Sequence, residues 1–148
     1  MNKHNLVVFS QNVRKNKTLT DTILETQKTT ADIIFVQEPL CFLVKCILSH
    51  TNPDKDPLYS TSNHPDWTLF ILNVPGLENP PRVMTYINKR LAKLRFSLHL
   101  DLINHCNINI VAFHNHQDTN LIINVYSDSN QTVLQVLRDN VRNLSPLL

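Results

Sequence analysis

The sequence predicts an α+β fold in a single domain, and three observations predict it. The first third of the chain reads as strand, helix, strand; from Trp67 onward short strands recur at regular spacing; and the chain ends in an amphipathic helix. At 148 residues, 42% of them hydrophobic and 18% charged, the composition is that of a globular protein with a real core, and it excludes disorder of the whole chain.

The opening strand is Leu6-Val7-Val8-Phe9, running on through Ser10-Gln11-Asn12-Val13. Residues 18–30 follow with Leu19, Ile23 and Leu24 at helical spacing, Thr22 and Glu25 in the capping-box relation and Asp21 in the first turn. Asp32-Ile33-Ile34-Phe35-Val36-Gln37-Glu38-Pro39 then carries four consecutive apolar residues, the pattern of a strand covered on both faces. Proline ends its ladder, having no N–H to donate. A helical crossover of this length makes the two strands parallel, which brings Asn12 and Glu38 to the same edge of the sheet. Ligands of open α/β sheets gather at the carboxyl ends of strands, so a carboxylate and an amide placed together there suit metal or phosphate chemistry.

Residues 40–48 are almost wholly apolar and read as a short helix or a buried irregular segment; residues 52–66, with Pro53, Pro57 and Pro65, read as a long surface loop. Strands are expected over 67–74, 82–87, 96–102, 107–113 and 121–126. The last helix places Val133, Leu134, Leu137, Val141 and Leu144 on one face, with Asn130 as its cap.

Composition also limits function. Gly76 is the only glycine, where average usage of about 7% would give roughly ten, and no Gly-rich phosphate loop exists, which rules out nucleotide binding of that kind. Net charge is +2, with a pI near 8.5, and is silent about a polyanion partner. Three cysteines do not make a disulfide framework, and no apolar run reaches membrane-spanning length or forms a signal-peptide core; the expectation is an intracellular chain with no membrane partner. Cys41, Cys46 and His50 superficially resemble a metal-ligand run but lack a second pair, and His114 and His116 sit in what reads as a solvated turn. Lys89, Arg90, Lys93 and Arg95 form a basic cluster at a turn projecting from the sheet, able to neutralise phosphates, although solvated turns more often look the same. Tyr126 closes a strand before the polar turn Ser127-Asp128-Ser129-Asn130, where its hydroxyl either donates to a phosphate or merely closes the core with its hydroxyl in water.

Gln11-Asn12-Val13, Val36-Gln37-Glu38-Pro39, Asn63-His64-Pro65-Asp66-Trp67, Asn88-Lys89-Arg90-Leu91 and Asn124-Val125-Tyr126 occur in an order that resembles the endonuclease/exonuclease/phosphatase superfamily, and more narrowly the endonuclease domain of fungal non-LTR retrotransposons. The resemblance implies a four-layer α/β sandwich of mixed sheets with flanking helices, performing Mg²⁺-dependent (or Mn²⁺-dependent) phosphodiester hydrolysis on DNA. It implies Glu38 as metal ligand, Asn12 as the residue arranging metal and scissile phosphate, and Tyr126 as a phosphate contact; Lys89 and Arg90, from the basic cluster, and Asn130, where the chain departs from the family's pattern, are the candidate nucleic-acid contacts. The family continues with Gly-Asp-Phe-Asn and later an Asp-His pair, neither of which occurs here, and it often has Asp or Asn where this chain has Arg14. The expectation is therefore a C-terminally truncated domain spanning 1–148, with the remainder in a longer polyprotein, one sheet of the sandwich lost and an apolar face exposed. A working retrotransposon endonuclease would act in the nucleus. The alternative is a non-catalytic remnant that keeps the first half of the fold and binds nucleic acid.

Overall fold

A computed structural model describes residues 5–44, 58–72, 79–91, 94–98, 105–114, 118–127 and 132–144. The chain opens as expected, with β1 (Val8–Asn12), α1 (Lys17–Gln27) and β2 (Ile33–Gln37), and β1 pairs with β2 in parallel register, Asn12 opposite Gln37. β5 (Trp67–Ile71) and β6 (Val83–Asn88) complete a four-stranded sheet in the order β1-β2-β6-β5, with β6 antiparallel to both of its neighbours. A second sheet contains β7 (Arg95–Leu98), β8 (Ile108–His114) and β9 (Thr119–Val125), all antiparallel. β3 (Phe42–Val44) and β4 (Leu58–Ser60) pair separately, and α2 covers Thr132–Leu144.

Alternation along the strands sets the layers. Ile34 and Val36 of β2 and Met84 and Tyr86 of β6 share a buried face with Ile23 and Leu24 of α1. Thr85 points the other way, and its hydroxyl donates to Asn109 Oδ1 of β8 at 2.6 Å. Ile108 and Ile110 face away from that contact and pack with Val133, Val136 and Leu137 of α2. The order is helix, sheet, sheet, helix, so the four-layer sandwich is present. The expectation that one whole sheet would be missing is not met: the second sheet lies against the first.

The seam between the sheets is polar. Asn124, 1% exposed, donates to the Met84 carbonyl at 2.8 Å and accepts from Gln37 Nε2 at 3.0 Å, while Asn109 donates to the Phe70 carbonyl at 3.2 Å. Among the described residues no buried side-chain nitrogen or oxygen lacks a partner. A fully satisfied polar seam specifies register in a way that interchangeable apolar contacts do not.

Several local expectations are corrected. The cap of α1 is Asn16, whose side chain accepts from the Leu19 N–H at 2.9 Å, and not the Thr22–Glu25 pair, which lies inside the helix: Thr22 bonds back to the Thr18 carbonyl and Glu25 pairs with Lys28. Residues 42–44 form a strand with Phe42 and Leu43 exposed, neither the short helix nor the buried irregular segment expected, and Thr61 and Ser62, read as surface loop, are buried. Leu134 is exposed, its place against the sheet being taken by Val136. Residues 99–104, Cys46, His50, His116 and Asn130 lie outside the described residues, as does Lys93.

Candidate functional site

The site forms at one end of the sandwich, where the carboxyl ends of β1, β2 and β9 meet the start of β6. β1 and β2 end together because they are parallel, and β6 begins there because it runs against β2, with Val83 opposite Gln37. The β1–α1 turn is built around Asn12. Its side-chain oxygen accepts from the Arg14 N–H at 2.9 Å, the Val13 N–H donates to the Gln37 carbonyl at 3.0 Å, and the Lys15 N–H donates to the Glu38 carbonyl at 2.7 Å. Arg14 and Lys15 both adopt positive φ, 47° and 59°, and so does Glu38 at 50°. Non-glycine residues held in the left-handed region cost about 1–3 kcal/mol each and persist where surrounding bonds over-determine them.

Glu38 is fixed at both its backbone and its side chain. Its N–H donates to the Arg82 carbonyl at 2.8 Å; its Oε1 accepts from the Tyr126 hydroxyl at 2.6 Å and from an Arg82 guanidinium nitrogen at 3.2 Å. That guanidinium also lies over the Tyr126 ring, 4.1 Å from its centroid, in cation–π geometry. Tyr126 is held in turn by its N–H on the Asn107 carbonyl at 2.9 Å, and Arg82 by its N–H on the Cys106 carbonyl at 2.8 Å. The Tyr126 hydroxyl is the main cause holding the Glu38 carboxyl below its ordinary value; desolvation pushes it up, and hydrogen bonds from the Asn12 amide and from Arg82, with the charge of Arg82, add to the lowering.

Glu38 and Arg82 open onto a groove of about 870 Å³ whose described lining also includes Arg14, Lys15 and His105. Glu38 is the one carboxylate among the described lining residues. His105 Nδ1 accepts from the Asn107 N–H at 3.1 Å, so the neutral ring carries its proton on Nε2 and presents a donor, not a base.

Asn12, Glu38 and Tyr126, expected from the sequence, are thus brought together. Lys89 and Arg90 are not with them. They form a 3-10 turn (Lys89–Leu91) at the far end of β6, where Arg90 bonds Asp32 at 2.8 Å and the Ala31 carbonyl at 2.8 Å, and Asn88 Nδ2 reaches the Lys28 carbonyl at 2.8 Å. That turn does not project: it folds back to close the end of α1. Arg82, Arg14 and Lys15 are groove cations that sequence reasoning missed. The signal for Arg82 was its position at the start of a strand, which meets Glu38 only if that strand runs against β2.

Among the described residues no group of three or more His, Cys, Asp or Glu is placed to hold a metal. The Glu38 carboxylate fits Mg²⁺, which is ordinarily bound through one or two carboxylates and takes waters and phosphate oxygens for its remaining positions; the Asn12 amide hydrogen-bonds that carboxylate, and its oxygen already accepts from the Arg14 N–H at 2.9 Å. These groups do not fit zinc, which takes three or four nitrogen, sulfur or carboxylate ligands from the protein.

Two sheets face to face between two helices, with strand ends supplying a Glu–Tyr pair at one end, make a four-layer α/β sandwich. The endonuclease domain of TRAS1, a telomere-specific non-LTR retrotransposon, is a solved structure with this fold: TM-score 0.56 at 12% sequence identity, over 96% of the present chain. The chain spans 53% of the length of that structure. Comparison against protein families and against curated proteins gives no match.

Proposed function

We propose that the chain carries, in Glu38, Asn12 and Tyr126, a Mg²⁺-dependent DNA endonuclease site that hydrolyses phosphodiesters. The observation that carries this reading is the convergence on Glu38: the Tyr126 hydroxyl at 2.6 Å and Arg82 at 3.2 Å, with Asn12 adjacent, at a groove in which Glu38 is joined by Arg14, Lys15 and Arg82 among mostly neutral described lining residues. The TRAS1 domain is an endonuclease, and its likeness in fold supports the class.

Glu38, assisted by Asn12, would hold the cation, which when bound supplies charge neutralisation at the phosphate. Arg82, Arg14 and Lys15 attract and seat the phosphodiester backbone, since a groove lined by one sign of charge concentrates the opposite sign. Tyr126 donates its one hydroxyl proton to Glu38 Oε1 at 2.6 Å, and would turn it to a phosphate oxygen, as charge builds there, once a cation takes over the carboxylate. The test is nicking of supercoiled plasmid in Mg²⁺, with Glu38→Gln expected to abolish it. Nicking that survives Glu38→Gln would sink the reading.

A second reading is a nucleic-acid-binding module without catalysis, favoured by His105 presenting a donor and Glu38 standing alone among the described groove carboxylates. Duplex binding without nicking at any protein concentration would select it.

A further inference from the structure

Arg82 stands between two demands. Its guanidinium donates to Glu38 Oε1 at 3.2 Å and lies on the Tyr126 ring, yet the side chain keeps 38% of its surface exposed, against 24% for Glu38. Its main chain is fixed on both sides, by the Glu38 N–H on its carbonyl and by its own N–H on Cys106. The head group therefore has a firm base and an open side. A guanidinium offers five donors in a planar fork, of which one is used on Glu38.

A divalent cation approaching Glu38 meets that permanent positive charge on the same carboxylate oxygen that Tyr126 already occupies. Like charges at such range disfavour each other, so the two cations compete for one ligand. We infer that Arg82 is an exchangeable counter-ion. It neutralises Glu38 in the resting protein, is displaced by the divalent cation and, still seated on the Tyr126 ring, turns its free donors to a phosphate oxygen of the DNA. No covalent bond changes in this exchange. The inference rests on Glu38 being the metal ligand of the proposed function.

Metal and DNA would then favour each other's binding through Arg82, and linkage requires the coupling to be reciprocal. Removing the guanidinium should tighten metal binding and loosen DNA binding, opposite effects that a merely structural residue would not produce.

The experiment measures Mn²⁺ binding to the full chain by electron paramagnetic resonance, and binding of a labelled DNA duplex by fluorescence anisotropy in Mn²⁺, with EDTA as the metal-free comparison. It uses wild type, Arg82→Met, Arg82→Lys and Glu38→Gln, each checked for folding by circular dichroism. Arg82→Met is expected to tighten Mn²⁺ on the order of tenfold, and to weaken duplex binding while lowering the salt slope by about 0.9. Arg82→Lys keeps the charge and is expected to hold Mn²⁺ near wild-type affinity. If Arg82→Met fails to fold, Arg82→Gln carries the same comparison. Equal Mn²⁺ affinity in wild type and Arg82→Met, with loss in Glu38→Gln, overturns the exchange and leaves Glu38 as ligand. An Arg82→Lys variant that tightens Mn²⁺ as Arg82→Met does also overturns it, since packing and not charge would then be responsible. Undiminished Mn²⁺ binding in Glu38→Gln overturns the proposed metal site together with the exchange.

Discussion

Replacing Asn124 by alanine tests whether the polar seam holds the sheets and the site together. The side chain is 1% exposed, with two good hydrogen bonds, to the Met84 carbonyl at 2.8 Å and from Gln37 at 3.0 Å, and a long one to the Val36 carbonyl at 3.5 Å. Each good bond contributes about 1 kcal/mol net, and truncation also leaves a small void and strands the Gln37 amide partner. The sum is about 2–4 kcal/mol. For a chain of this size that lowers Tm by roughly 5–15 °C. Urea denaturation followed by circular dichroism at fixed pH measures it directly. Because Tyr126 lies two residues beyond Asn124, the proposed function requires duplex binding to weaken as well. A stability loss under about 0.5 kcal/mol, the range of an ordinary surface substitution, would show that the sheets are not joined through this residue.

Further outcomes follow from the ionisable groups. Glu38 titrates below its ordinary value of 4.5, so its bonds stabilise the fold above that pH and their contribution is lost as pH falls through the lowered value; Tyr126→Phe or Glu38→Gln should flatten the acid limb of the stability–pH curve, and a curve unchanged in both variants would contradict the pairing. Tyr126→Phe should also raise the Glu38 value toward normal, read by carboxyl NMR titration. Burial pushes the Cys41 thiol up to about 11, so at pH 8 roughly one molecule in a thousand carries the thiolate and a disulfide reagent should label it far more slowly folded than unfolded, with Cys41→Ser identifying its share; rapid labelling in the folded state would refute its burial. Asn16→Ala should cost about 0.5–2 kcal/mol through loss of the α1 cap, measured by thermal unfolding.

The parts of the site legible in the sequence were those written in local pattern. Four apolar residues closed by Glu38-Pro39, and a helix between them and Asn12, were enough to fix two parallel strands ending together. Tyr126 came from the order of motifs and not from any local signal. Arg82 was invisible because its role depends on β6 running against β2 across a gap of more than forty residues, and strand direction over such a separation leaves no periodicity. The Thr22–Glu25 relation misled because a capping box specifies only a spacing, and Asn16, nearly two turns earlier, satisfied the helix start first. Arg90 looked like a phosphate contact because sequence shows a charge but not its partner; the carbonyls at the end of α1 and Asp32 claim it.

The left-handed turn at the rim of the groove has a consequence for how this chain responds to selection. A sequence with a single glycine has put an arginine, a lysine and a glutamate into backbone conformations that glycine would occupy with less strain. Lys15→Gly should relieve about 1 kcal/mol while deleting a groove cation. If the groove seats DNA as proposed, a screen for heat resistance and a screen for DNA retention would choose opposite residues at the same codon.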